Sequence, residues 1–244
     1  MSVVSFGGGV NSVAMTILLF RQRWRGTILF SDTGCEWPET YCYLDYFEGE
    51  WLRPRGLSIT RISGWPWQRP EGGLPLLDYC ERRHTFPMAA MRWCTTEWKI
   101  RPMDRYCKRV LGDTELLIGI AADEAHRRPT ANRPLVDAGV DRAGCIAIIE
   151  SEGLSVPLKS GCFICPFQGV ARMRVLYDVH PDLFERVARL EESAPRDGEG
   201  HRRATLHPGG KYTLRDLEAR FKAQEAFPEM DYGVSEYRPC LCEV

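Results

Sequence analysis

Three consecutive glycines near the amino terminus form the stretch of this chain whose residue types and spacing best suit phosphate chemistry. Residues 3–12 read Val-Val-Ser-Phe-Gly-Gly-Gly-Val-Asn-Ser, a short apolar run followed by glycines and then by a helix-like segment. Bare glycine backbone exposes amide groups, and the positive end of a helix dipole attracts anions to the same small volume. Glycine-rich turns after a strand also serve chain reversal alone. The residue types and spacing of this loop predict a phosphate-binding site, to which Ser12 contributes a hydroxyl.

A second group of residues with chemical potential is the sequence Cys162-Phe-Ile-Cys165-Pro. Two thiolates at this spacing can bind one metal ion or one corner of an iron–sulfur cluster. A thioredoxin-like redox pair would follow a strand and begin a helix, and Lys159-Ser160-Gly161 is not such a context. A structural zinc site and a cubane cluster both stay open, and each needs two further ligands. The ten cysteines of the chain favour metal or thiol chemistry over disulfides, since no secretory signal is evident.

Composition limits the classes of protein to consider. The 244 residues are enough for one large domain or a core domain with a small appendage. With 32 basic and 33 acidic residues and a net charge of -1, a nucleic-acid partner must meet a local basic patch rather than a global field. No apolar stretch approaches the roughly 20 residues of a membrane span. We therefore expect a cytoplasmic protein without a membrane partner.

The elements that must position these residues alternate between strand-like and helix-like segments. Strands are predicted at 2–6, 27–30, 57–62 and 116–120, with helices near 12–22, from Pro38 to about 51, and at 97–111. Such alternation predicts an α/β fold with an open, mostly parallel sheet flanked by helices, whose ligands lie beyond the carboxyl ends of the strands. Gly8, Asp32 and Gly119 are placed at such ends.

After about residue 140 the pattern becomes helical. Helices are predicted at 142–152, 168–178, 181–192 and 214–224. The predicted organisation is a nucleotide-binding α/β domain at 1–140 and a helical, cysteine-rich region at 141–244 packed on the same core. Residues 193–212 are rich in Gly, Pro, Arg and His, which suits either contact with a polyanion or a solvated connector.

Five sequence blocks carry a resemblance to a known family. Ser-Phe-Gly-Gly-Gly-Val-Asn-Ser at 5–12 resembles the pyrophosphate loop (PP-loop) of the adenine-nucleotide alpha-hydrolase superfamily. The surrounding chain looks like the phosphoadenylyl-sulfate reductase branch of that superfamily. Four further blocks agree, in the order that this branch uses, at 30–40, 92–102, 119–128 and 159–168. The resemblance spans roughly residues 3–190 and implies a PP-loop, HUP-like fold that binds ATP with Mg²⁺.

The resemblance also implies roles for particular residues. The implied nucleotide-binding positions are Ser5, Phe6, Gly7, Gly8, Gly9, Asn11, Ser12, Asp32, Gly119, Asp123 and Glu124. Lys99, Arg127 and Arg128 match basic positions near the phosphates, as does Arg92. Gly7 replaces the usual loop serine and Asn11 the usual aspartate, and the loss of a hydroxyl and a carboxylate weakens the expectation of ATP cleavage.

For the cysteines, the resemblance implies a 4Fe-4S cluster. Cys94 would join Cys162 and Cys165, and the fourth ligand would come from the tail, Cys242 being preferred to Cys240. Zinc is the alternative because all-cysteine sites suit both. Cys35 directly follows the Asp-Thr-Gly turn, where its thiol could face the nucleotide and carry a persulfide, or could pack under the turn.

Three functions are compatible with these features. In the first, a substrate oxygen attacks the alpha-phosphate of ATP and pyrophosphate leaves; sulfur then displaces AMP, as in the DNA phosphorothioation proteins and tRNA thiolation enzymes that the chain resembles. This implies a nucleic-acid acceptor, a cysteine desulfurase as sulfur donor and a homodimer. The second is reduction of adenylyl sulfate or phosphoadenylyl sulfate, although the tail Pro-Cys-Leu-Cys-Glu-Val lacks the family's Glu-Cys-Gly-x-His-type nucleophile. The third is a regulatory module that binds ATP without cleaving it.

Overall fold

A parallel four-stranded sheet forms the centre of the amino-terminal half. The computed structural model describes residues 2–63, 74–89, 91–127, 130–194, 206 and 212–223. The strands are β1 (Ser2–Phe6), β2 (Thr27–Asp32), β3 (Ile59–Ser63) and β4 (Glu115–Ile118), in the spatial order β3-β2-β1-β4 with parallel pairing throughout. This arrangement confirms the predicted open α/β sheet.

Helices cover the sheet and extend beyond it. They are α1 (Val10–Arg21), α2 (Pro38–Phe47), α3 (Leu76–Arg83), α4 (Trp93–Thr95), α5 (Arg101–Tyr106), α6 (Pro134–Asp137), α7 (Arg142–Glu150), α8 (Val170–Val179), α9 (Pro181–Ser193) and α10 (Leu214–Lys222). Wider π-helical turns at Thr96–Ile100 and Cys107–Leu111 continue α4 and α5. The helical run thus begins at Trp93, four residues before the predicted start at 97, and Cys94 lies inside it. None of the described helices has the length and apolar character needed to cross a membrane.

The buried side chains fall mainly into two clusters. The first lies between the sheet and the helices α1, α2 and α7, and its largest members are Phe6, Phe30, Phe47 and Trp51. The second joins α3, α8, α9 and α10 to the segment around Phe163. Because α7 packs against α1, this helix of the predicted 141–244 region belongs to the core around the sheet. The predicted division at residue 140 stays a prediction.

Candidate functional site

The glycine loop joins β1 to α1, and two of its three glycines have close neighbours. Gly8 has a φ of +68°, and a Cβ there would lie 3.2 Å from both Leu44 and Thr40. At Gly9 a Cβ would lie 2.6 Å from the Ser160 hydroxyl, whereas a Cβ at Gly7 would meet nothing within 4 Å. Gly9 is the N-cap of α1 and no side chain caps this helix start. The first backbone N–H groups of α1 therefore have no capping side chain and are available to a ligand in the space above the loop.

A cavity of about 270 Å³ occupies that space. Six of the predicted nucleotide-binding residues line it: Ser5, Gly7, Gly9, Asn11, Ser12 and Gly119. Three further lining residues, Arg142, Lys159 and Ser160, were not among the predicted site residues. They come from α7 and from the segment just before Cys162, so the cavity is completed by the later part of the chain.

Two predicted loop residues lie outside the cavity. The ring of Phe6 is 3% exposed and stacks on Phe47 with ring centroids 5.7 Å apart, so this side chain is a core residue. Gly8 is buried beneath Leu44 and Thr40. Both residues shape the loop from below rather than facing a ligand.

Asn11 lies between a cation and a carboxylate at the rim of the cavity. Its amide nitrogen donates to Glu124 Oε2 at 3.2 Å, and its oxygen accepts from Arg142 Nη1 at 3.0 Å. Arg142 also donates its backbone N–H to Asp123, and Arg127 pairs with Glu124 at 2.7 Å. An aspartate at position 11 would repel Glu124, so the amide fits these neighbours. The structure thereby brings Asp123, Glu124 and Arg127 to the loop; Arg128 lies outside the described residues.

Asp32, at the end of β2, organises the next turn. Its Oδ1 accepts hydrogen bonds from the Gly34 N–H at 2.8 Å and from the Tyr41 hydroxyl at 2.6 Å. Burial and this bond to a carboxylate raise the pKa of Tyr41 above its usual value. The predicted adenosine contact of Asp32 stays a prediction.

The segment after β2 is joined by backbone hydrogen bonds to the cysteine loop, which we define as residues 159–168. Trp37 donates to the Gly161 carbonyl at 3.1 Å and Phe163 donates to the Cys35 carbonyl at 2.9 Å. These bonds set Glu36 opposite Cys162 in an antiparallel bridge. Two blocks of sequence far apart in the chain thus form one local structure.

Glu36 is the centre of a small polar cluster in this structure. Its Oε1 accepts from Lys99 Nζ at 3.0 Å and from Thr33 Oγ1 at 3.2 Å, and Cys162 Sγ lies 3.5 Å away. The Glu36 side chain is 1% exposed, and its Oε2 is buried without a hydrogen-bond partner among the described residues. Thr33 and Glu36 belong to the 30–40 block, yet no sequence signal singles them out.

Charge in this cluster shifts two pKa values. Burial works to lower the pKa of Lys99, but attraction to the Glu36 carboxylate outweighs it, so the pKa lies above its usual value. Burial, followed by the Glu36 carboxylate, raises the pKa of Cys162 well above its usual value, with Lys99 opposing. This pKa direction and the 3.5 Å distance between Cys162 Sγ and Glu36 Oε1 both favour a thiol that donates to the carboxylate.

The predicted metal ligands are only partly assembled. Three thiols suit a soft metal or an iron–sulfur cluster, and Cys94 lies close enough to Cys165 for their charges to interact. Across the described ranges, however, no three His, Cys, Asp or Glu side chains are placed to hold one metal ion, and the Cys162 thiol bonds to Thr33 and Glu36. Cys240 and Cys242 lie outside the described residues. The cluster and its zinc alternative stay predictions.

Cys35 is enclosed beneath the turn that precedes it. Its side chain is fully buried and its sulfur accepts the Leu77 N–H at 3.0 Å. Burial raises the pKa of its thiol to about 12, whereas nucleophilic and persulfide-carrying cysteines act as thiolates. These features favour the packing role over the persulfide role.

Comparisons with known proteins point to one family. The phosphoadenosine phosphosulfate reductase domain profile matches residues 1–143. The chain is 30% identical to an uncharacterized 37.8 kDa protein of Escherichia phage 186, over 98% of this chain and 87% of that protein. It is 28% identical to the uncharacterized nin region protein ORF290 of Escherichia phage lambda, over 52% of this chain and 50% of that protein.

Among solved structures, a phosphoadenylyl-sulfate (PAPS) reductase from Candida auris, in a phosphate complex, is similar to this chain with a TM-score of 0.45 and 16% sequence identity. The similarity covers 64% of this chain and 75% of that chain.

Proposed function

The chain belongs to the phosphoadenosine phosphosulfate reductase domain family, a nucleotide-binding enzyme family of sulfur metabolism, and from this premise we propose that it is an ATP pyrophosphatase. It activates an oxygen of a nucleic acid as its adenylate, so that sulfur can replace that oxygen. The observation that carries the proposal is the junction of the glycine-loop cavity with the cysteine loop: Ser160, two residues before Cys162, lies directly above Gly9.

In the first step, the acceptor oxygen attacks the alpha-phosphorus and the bond to the bridging oxygen of pyrophosphate breaks. The leaving pyrophosphate gains negative charge, which the α1 amides and the cations Arg142 and Lys159 neutralise. Mg²⁺ would enter with the triphosphate, as it does where one or two carboxylates assist substrate phosphates, and Asp123 and Glu124 are the carboxylates at the rim. In the second step, a sulfur nucleophile attacks the activated atom and AMP leaves.

A nucleic-acid acceptor is supported by an exposed aromatic ring in the cysteine loop and by cations that lie near this loop. Phe167 is 54% exposed, and the guanidinium of Arg92 lies 5.3 Å from the centre of its ring. Arg172 lies over Trp37 at 4.3 Å. Cations bind phosphates, and exposed rings stack on unpaired bases. This is the local basic patch that a chain with almost no net charge needs for a polyanion.

The test is pyrophosphate release from ATP with single-stranded DNA or tRNA as acceptor. Gly7→Asp should abolish release, because it adds a negative charge to the cavity at a position where a Cβ meets nothing within 4 Å. The matched control is Gly49→Asp, since Gly49 is exposed and a Cβ there is equally free. Release that is absent from the wild-type protein with every acceptor, or equal in both variants, would contradict the proposal.

Reduction of adenylyl sulfate or phosphoadenylyl sulfate is the second candidate, and the family match itself favours it. Sulfite formation with a thiol donor, in a protein that releases no pyrophosphate from ATP, would support reduction instead. ATP binding with neither product would support the regulatory module.

A further inference from the structure

We propose that Lys159 and Ser160, the first residues of the cysteine loop, bind the triphosphate, and that nucleotide binding thereby shields the thiols of Cys162 and Cys165. The inference rests on the ATP site proposed above and assigns to it a phosphate-binding segment outside the glycine loop. It makes the cysteine loop a part of the nucleotide site rather than its neighbour.

The position of Ser160 is the first argument. Its hydroxyl lies so close to Gly9 that a Cβ on this glycine would be only 2.6 Å away. Gly9 is followed by the uncapped amides of α1, and Ser12 turns its own hydroxyl onto the Gly9 carbonyl at 2.9 Å. Ser160 thus places a hydroxyl donor beside Gly9. The glycine loop itself offers no side-chain donor at position 7.

The charge of Lys159 is the second argument. Its side chain lines the cavity together with Arg142, and no carboxylate within the described ranges forms an ion pair with it. Arg142 donates to Asn11, whose amide is neutral, so the charges of both cations are left for a ligand, and Lys159 is the cation that the cysteine loop supplies. A triphosphate supplies the negative charge that this position lacks.

Hydrogen bonds hold the backbone around Lys159, which fixes the point from which its side chain extends. Arg172 donates to the Lys159 carbonyl at 3.0 Å while its guanidinium lies over Trp37. On the other side of the cysteines, Gln168 donates to the carbonyls of Cys162 and Phe163, both at 2.7 Å. The cysteine loop is therefore held at its two ends.

Gly161 connects the phosphate-binding pair to Cys162. Its φ is +144°, and a Cβ at this position would meet nothing within 4 Å. Its carbonyl accepts from the Trp37 N–H at 3.1 Å, so this bond must break before the segment can open. A ligand bound by Lys159 and Ser160 adds contacts that must also break, so opening of the segment that carries both thiols becomes rarer.

Binding of α,β-methylene-ATP, which cannot release pyrophosphate, tests the first half of the inference. Lys159→Ala should weaken binding about tenfold or more, the effect of losing a charge-assisted hydrogen bond, and Ser160→Ala a few-fold. Lys159→Arg should bind nearly as tightly as wild type. The control is Lys108→Ala, an exposed lysine on the Cys107–Leu111 turn. Equal affinity in Lys159→Ala and wild type overturns the inference.

Cysteine alkylation, measured by mass spectrometry with and without saturating α,β-methylene-ATP, tests the second half. Wild type and Lys108→Ala should show slower alkylation of Cys162 and Cys165 with nucleotide, and this protection should be reduced in Lys159→Ala even at saturation. Unchanged alkylation in the nucleotide-bound wild type overturns the coupling.

The two proposals fail in different ways. A wild-type protein that binds the analogue and releases pyrophosphate, with a Lys159→Ala variant equal to it in both, refutes the role of Lys159 and leaves the proposed function standing. A wild-type protein that binds the analogue with the predicted Lys159 dependence but releases no pyrophosphate refutes the function alone. Failure of the wild type to bind any nucleotide refutes both.

Discussion

A single buried carboxylate sets the charge around the thiol of Cys162. Glu36 holds Lys99 and Thr33 on one oxygen and has Cys162 at 3.5 Å from the same atom. Lys99 and Glu36 act on the thiol in opposite directions, the cation favouring the thiolate and the carboxylate opposing it. The reactivity of this cysteine therefore depends on which partner stays charged.

Glu36→Gln should lower the pKa of Cys162. The substitution removes the negative charge that helps burial raise this pKa, and it leaves Lys99 to stabilise the thiolate. The rate of Cys162 alkylation, followed from about pH 6 to 10, should rise at a lower pH in the variant than in the wild type. Lys99→Met is the opposing control, because loss of the cation should move the profile to higher pH. Identical pH profiles of alkylation in the wild type and both variants would contradict this account of the polar cluster around Glu36.

At the scale of elements, β4 approaches α1 closely where both meet the cavity. A Cβ at Gly119 would lie 3.0 Å from the Cα and the backbone nitrogen of Ser12. Backbone atoms at the start of a helix cannot move away from an added Cβ as a long side chain can. Glycine at this position therefore lets β4 end directly beside the first turn of α1.

Gly119→Ala should displace the start of α1 and destabilise the protein by about 1–3 kcal/mol, the usual cost of overpacking. Urea unfolding measures this free energy, and nucleotide binding should weaken in parallel because Asn11 and Ser12 line the same cavity. Gly49→Ala is the matched control, with nothing within 4 Å of its Cβ. An alanine variant as stable as wild type would show that the contact relaxes without cost.

The elements were predictable because their signals are local. Three of the four strands contain a short apolar run, and all four lie within a few residues of their predicted bounds, such as 57–62 against Ile59–Ser63. The glycine loop was recognisable for the same reason. The start of the helical run at Trp93 could not be recognised from the sequence. It follows a left-handed conformation of Arg92 (φ 45°), and an arginine does not indicate such a conformation.

Contacts between blocks that lie far apart in the chain could not be predicted from the sequence. Nothing near Lys159 or Arg142 indicates that these cations reach the glycine loop, since each is separated from it by more than a hundred residues. Phe6 was assigned to the nucleotide by the resemblance, yet its apolar ring packs on Phe47. Periodicity identifies a strand, but the direction of its last side chain depends on what packs against it.

At the scale of the whole molecule, the predicted cluster draws its ligands from separate parts of the chain: Cys94, Cys162, Cys165 and Cys242. Protein purified without oxygen should be brown, with broad absorption near ~400 nm, and Cys162→Ser should lose this colour. Cys107→Ser should keep it, because Cys107 packs with Val3, Leu29 and Met103 under the sheet. A colourless wild-type protein with one equivalent of zinc would contradict the cluster in favour of the zinc alternative.

The bridge between Glu36 and Cys162 also has a consequence for folding. Its partners are 126 positions apart in the chain, and contacts of such long range form late because closing a large loop costs entropy. The sheet, built from residues 2–118, can complete its pairing before the cysteine loop arrives. During synthesis, the glycine loop would thus emerge and fold well before the thiols reach it, so that a half-made chain holds a phosphate cradle without the sulfur chemistry that the proposed function requires.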